Sequence, residues 1–295
     1  MSLQGEFIYM TKTIFDNINP ETFEKVQKLR LIDDELMSIV FSGDKKVTQF
    51  LIRILLNRND LIVKKSMTQV QKSNLFGRSV RLDIVAEDIF KQQYNIEIQR
   101  DGAGAGGKRI RYHQAMLDSH TLKKGDDFNK LPTLYIIFIL EHDIFKQGKP
   151  IYFVNKTLNI KDEDGEYLLF DDACNIMYVN GDYRGDNSLG KLMHDFSTPN
   201  ADEMYYNELA RKVRFHKQDE RGIEMASKIV EEYGDQRAAE ALKLGIQQGL
   251  QQGEQKKAVE DALMLISKYN ATPEEAAKDM NAPLELVLEK LKKEE

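Results

Sequence analysis

The run Leu134-Tyr135-Ile136-Ile137-Phe138-Ile139-Leu140 has no polar break and is rich in isoleucine, so it reads as a β-strand buried on both faces. A strand of that kind needs covering layers above and below it, which points to an α/β chain whose sheet is flanked by helices. It is also the longest wholly apolar run, far too short to cross a bilayer, so no membrane association is expected.

The periodicity on either side gives the order of elements. Between Asp33 and Asn57, Leu36, Met37, Val40, Phe41, Val47, Phe50, Leu51, Ile54 and Leu55 fall at three and four spacing, which predicts one or two amphipathic helices broken near Ser42-Gly43. Leu61–Met67, Ser79–Ala86 and Gln92–Ile98 then read as three strands. A glycine-rich loop, Gly102–Gly107, precedes helical spacing over Lys108–Leu122. Ile151–Val154 and Tyr167–Phe170 flank the turn signal Asp164-Gly165, and Ile176–Val179 adds another strand, so the sheet is extended.

From Asp202 onward β-branched patterning gives way to helical stretches, which suggests a domain over residues 1–200 and a helical C-terminal region over 201–295. Within that region Gly245, Gly249 and Gly253 recur amid glutamines. Each interior glycine costs a helix about 1 kcal/mol relative to alanine, so a flexible connector is expected there. Thr272-Pro273-Glu274-Glu275 and Pro283 each open a short helix, together a terminal helical hairpin or a DNA-reading helix-turn-helix, Glu285 and Glu289 on the second helix favouring the plain hairpin.

Charge and cysteine content narrow the chemistry. A formal net charge of −6 argues against a surface that is basic throughout, but Leu61–Leu82 carries Lys64, Lys65, Lys72, Arg78 and Arg81 with no acid. One cysteine, Cys174, precludes an internal disulfide and leaves too few soft ligands for a structural zinc site. Met1–Phe15 has no basic segment leading into an apolar one, so no signal peptide is expected and the cytoplasm is the expected compartment. His113, His120, His142, His194 and His216 show no paired metal spacing and read mostly as structural, although the place of His113 in the helix after the glycine loop also allows a phosphate contact.

The informative acids are Asp83, framed by Leu82 and Ile84, and Glu97, framed by Ile96 and Ile98. Strand side chains alternate, so each carboxylate points away from its apolar neighbours, and in a hairpin both would lie on one face with Gln99. Converging carboxylates favour a divalent cation, and oxygen ligands with waters suit Mg²⁺ or Mn²⁺. The same spacing also suits edge-strand acids facing water. Gly102–Lys108 imitates a phosphate-binding P-loop, but Arg109 stands where that loop needs Ser or Thr, which argues against a nucleotide cofactor and for a mobile hinge.

These residues resemble the PD-(D/E)xK nuclease superfamily, whose core is helix, three strands, helix, strand, with Asp83 as its first metal-binding aspartate and Glu97-Ile98-Gln99 as its acid-x-Lys signature, glutamine replacing lysine. The phrases Gly77–Ile84, Tyr94–Gln99, Lys108–Tyr112 and Leu189–Phe196 narrow the resemblance, from about Leu31 to beyond Gly249, to the bacterial recombination-promoting nuclease and transposase family. The resemblance implies a restriction-endonuclease-like mixed sheet flanked by helices, and a Mg²⁺-dependent DNA endonuclease of recombination or mobile elements. Asp83, Glu97 and the Ile98 carbonyl would hold the ion, with Asp34 as a further ligand and Gln99 orienting water. Arg78, Arg81, Arg100, Lys108, Arg109 and Arg111 would contact DNA phosphates. The competing expectation is a catalytically silent DNA- or partner-binding protein, and a homodimer is compatible with either.

Overall fold

The computed structural model describes residues 18–75, 77–100 and 102–294; the N-terminal stretch read for a signal peptide lies outside them. Three helices come first: α1 (Pro20–Lys28), α2 (Asp34–Val40) and α3 (Lys45–Leu56). Gly43, with φ of +64°, makes the break between α2 and α3 in a conformation that favours glycine. Strands β1 (Val63–Lys72), β2 (Val80–Asp88) and β3 (Gln93–Gln99) follow, then α4 (Gly107–Thr121) and β4 (Leu134–Leu140). The helix, three-strand, helix, strand order expected from the pattern is therefore present. After it come β5 (Ile151–Val154), β6 (Thr157–Lys161), β7 (Tyr167–Leu169), β8 (Cys174–Asn180), α5 (Ser188–Ser197) and α6 (Asn207–Gln218).

The main sheet has six strands in the order β1-β2-β3-β4-β8-β5. β3, β4 and β8 run parallel, while β1 with β2, β2 with β3 and β8 with β5 are antiparallel, so the sheet is mixed. β4 sits between β3 and β8, and its apolar run serves two cores. Ile137 and Ile139 pack with Leu36, Met37, Leu51, Leu192 and Val213 on one side. Leu134, Ile136, Phe138 and Leu140 pack with Ile110, Met116 and Leu117 of α4 on the other. Tyr167–Leu169 does not join this sheet as an extension of Ile151–Val154. It pairs with Thr157–Lys161 in a separate two-stranded sheet, closed by a turn in which the Gly165 N–H donates to the Asp162 carbonyl at 3.1 Å.

The phrase Leu189–Phe196 lies in α5 and holds elements together. A Cβ on Gly190 would sit 1.9 Å from the Gly185 carbonyl oxygen, so only glycine lets the preceding loop lie against the helix. Buried Asp195 accepts hydrogen bonds from the Tyr205 and Tyr206 N–H groups at 2.8 and 2.9 Å, fixing the entry to α6, and the Phe196 carbonyl accepts from Ile32.

Two compact units divide the chain, Met1–Glu231 and Glu232–Glu295. The first extends past the boundary near residue 200 that composition suggests, because Leu209, Ala210, Val213 and Ile223 are buried in it. The expected flexible connector is helix instead: α7 runs without interruption from Glu220 to Tyr269 through all three glycines. Its glycines are spread among alanine, leucine, lysine, glutamate and glutamine, strong helix formers whose summed propensity outweighs them. In the second unit, α8 (Pro273–Asp279) starts with a complete capping box at Thr272 and Glu275. There Ala276 and Ala277 share a small core with Val259, Ala262 and, from α9 (Leu284–Glu294), Val287.

Candidate active site

β2 and β3 pair with Ile84 opposite Ile96 at the end of their ladder, and Asp83 and Glu97 are the next residue of each strand, turned by alternation to the other face from these isoleucines. Both strands are interior to the sheet, so these acids do not face water from an edge. Asp83 Oδ2 accepts a hydrogen bond from the Ile98 N–H at 2.9 Å, which clamps the two strands where their ladder ends. The Asp83 carboxyl is pushed well above the ordinary carboxylate range, first by burial and then by the neighbouring charges of Glu97 and Asp34; the Ile98 N–H and Arg109 oppose the rise.

Glu97 is fully buried, 0 % exposed, yet neither of its carboxylate oxygens has a hydrogen-bond partner. Burying a charged carboxylate without such bonds is expensive unless cations compensate. Two groups of α4 face it. His113 Nδ1 is 3.5 Å from Oε1, and Arg109 Nη2 is 3.6 Å from Oε2. Arg109 and His113 stand four residues apart, on one face of the helix. Arg109 Nε donates to His113 Nε2 at 3.3 Å, which leaves the proton of a neutral ring on Nδ1, the nitrogen that faces Glu97. Arg109 Nη1 donates to Gln99 Oε1 at 3.1 Å. Asn95, two residues before Glu97 and on the same side of β3, is also buried with its amide atoms unpaired.

The glycine run fits this arrangement through packing. Gly102–Ala105 forms a 3-10 turn leading into α4, and a Cβ on Gly104 would lie 2.0 Å from Gln99 Oε1 and 3.1 Å from Arg109 Nη1. Gly104 is therefore a close-approach point within the run.

Asp34 opens α2, near enough to act on Asp83. Among the described residues, however, no group of three or more His, Cys, Asp and Glu side chains is gathered so as to hold a metal ion. What the sheet gathers is a carboxylate pair. The donor set still suits a hard divalent cation, since Mg²⁺ takes one or two carboxylates and keeps several waters, and both Glu97 oxygens lack hydrogen bonds. Arg78, Arg81, Lys108 and Arg111 are exposed, with the Arg78 carbonyl accepting from the Tyr112 hydroxyl of α4. Arg100 is tied into a network instead, 3.1 Å from Asp33 and 3.2 Å from Glu141, which Arg30 also bridges. The sequence pattern offered His113 only a phosphate contact and not its place beside Glu97; its spacing from Arg109 was the available signal.

Residues 40–181 match the family model described as PD-(D/E)XK nuclease family transposase. No curated protein and no solved structure matches. The mixed sheet with its flanking helices is consistent with the PD-(D/E)XK fold. Such nucleases generally use divalent metals. Among the described residues, no helix is long and apolar enough to cross a membrane.

Proposed function

We propose, on the premise that residues 40–181 form a PD-(D/E)XK nuclease family transposase domain, that this protein is a Mg²⁺-dependent DNA endonuclease serving recombination or mobile elements in the cytoplasm. The family supports a nuclease-like function in mobile elements. The observation that carries the finer reading is the pair of neighbouring acids, half-buried Asp83 and fully buried Glu97, at the end of the β2–β3 ladder with a cationic guanidinium from α4 beside Glu97.

In this reading Asp83, Glu97 and the Ile98 carbonyl would hold Mg²⁺ or Mn²⁺, with Asp34 as a further ligand, directly or through a water. When bound, such an ion polarises the phosphoryl oxygen and lowers the pKa of a coordinated water. Gln99 orients the attacking water by hydrogen bonding. The water oxygen bonds to phosphorus as the bond to the leaving sugar oxygen breaks; one proton passes to that oxygen and the other remains on the new phosphate or leaves to solvent. Arg78, Arg81, Lys108 and Arg111 bind phosphates along the strand, contacts that give affinity without reading sequence. Asp83→Ala should abolish nicking of supercoiled plasmid while the circular dichroism spectrum stays that of the wild type. Undiminished cleavage by that variant rejects the assignment.

A second reading has one observation in its favour: Arg109 stands at ion-pair distance from Glu97, and no three-ligand cluster is formed among the described residues. A protein that binds DNA without cutting it would stay inert with Mg²⁺ and Mn²⁺ on single-stranded, duplex and branched DNA, yet show salt-sensitive binding.

A further inference from the structure

Hydrolysis of a phosphodiester builds negative charge on the phosphoryl oxygens, next to a cleft that already holds two carboxylates, and Gln99 is neutral. Arg109 answers that need. Its guanidinium enters from the first turn of α4, 3.6 Å from Glu97 and 3.1 Å from Gln99. It stays 40 % exposed although Glu97 and His113 beneath it are 0 and 3 % exposed, so the one charge reaches both the buried acid and an arriving anion. Three features of this chain hold it there: the side-chain amide oxygen of Gln99, the His113 ring and the absence of a side chain on Gly104.

We propose that Arg109 is the cation that stabilises the transition state of this site, with Gln99 and His113 as positioning residues for its guanidinium, rather than one phosphate contact among several along the DNA path. The proposal rests on the nuclease reading above. With its Nε–H given to His113 and one Nη1–H to Gln99, the guanidinium keeps three N–H donors beside its 3.6 Å ion pair with Glu97, enough for the planar, bidentate geometry of a phosphate. A lysine would bring the charge without the fork.

The test combines cleavage kinetics with two binding measurements on the full chain. Arg109→Ala and Arg109→Gln should lower kcat on duplex DNA by about 100-fold, the scale of losing one transition-state donor, while KM changes by less than about threefold. Arg109→Lys should retain an intermediate rate. Gln99→Lys added to Arg109→Ala should recover at least tenfold, since it returns a positive charge to the same spot. Independently of turnover, calorimetric titration with Mg²⁺ alone should show tighter binding to Arg109→Gln than to wild type, because a charge repelling the ion has gone. Anisotropy in EDTA should show DNA affinity within a few-fold of wild type. Unchanged kcat with weakened DNA binding and a salt slope smaller by about 1 would overturn the proposal in favour of an ordinary phosphate contact. Wild type that neither cleaves DNA nor binds divalent ions would instead remove the nuclease reading, and this proposal with it.

Discussion

At the scale of single residues, the site is decided by which charges share a low-dielectric space. The raised proton affinity of Asp83 makes stability depend on pH. Because the folded state holds that proton more tightly than the unfolded chain, the stabilising contribution is complete below the unfolded value of about 4 and is lost as pH rises through the raised folded value. Urea unfolding in EDTA between pH 4 and 8 should therefore show wild type losing stability relative to Asp83→Asn, and the variant should be the more stable protein at neutral pH. Mg²⁺ should flatten the wild-type slope and leave the variant unmoved. Gly104→Ala probes the same space from the other side. The atom its Cβ meets is the end of the flexible Gln99 side chain, so the fold should lose less than about 1 kcal/mol while the cleavage rate falls as Gln99 and Arg109 are displaced. Equal losses in stability and rate would show that Gly104 is a folding position only. The carboxylates were legible from their neighbours in the chain, since each sits between apolar strand residues whose alternation sets its direction. Arg109 was legible only as a basic residue near the site, because nothing local says which cation of α4 meets Glu97.

At the scale of elements, the same contrast separates packing from chemistry. A Cβ on Gly190 would meet the backbone carbonyl of Gly185, which cannot swing aside as a side chain can. Gly190→Ala should thus cost on the order of 1–3 kcal/mol, read from the urea midpoint, with the cleavage rate per folded molecule preserved. A neutral effect on the midpoint would mean that the loop over α5 repositions at no cost. Strand β4 was readable from composition alone, because seven apolar residues leave no face for water. β6 was not. Its exposed sequence, Thr157–Lys161, has no apolar face turned to a core, and its partner is fixed by a turn rather than by burial. The glycine-bearing stretch of α7 was misleading for a related reason: glycines are conspicuous one by one, whereas helix formation is cooperative and responds to the whole window.

At the scale of the whole molecule, the first compact unit reaches into α7, so the sheet is not finished where the strands end. A chain ending at Glu231 should unfold in one cooperative transition and retain nicking activity, whereas one ending at residue 200 should lose cooperativity, since it discards Leu209, Ala210, Val213 and Ile223 from the core. Thermal melts of the two chains, followed by circular dichroism, distinguish them; equal cooperativity would place α6 outside the folding unit. What the sequence determined by itself is the set of directions: period-two alternation turned Asp83, Glu97 and Gln99 to one side, and the unbroken run of β4 demanded layers on both sides. What only the tertiary structure decided is distance, namely that α4 docks with Arg109 and His113 over Glu97 while Arg100 turns to Asp33 and Glu141. Periodicity acts within one element and fixes where a side chain points, but the separation between charges on different elements is set by how their apolar faces pack, and charge interactions depend on that separation and on the water it excludes.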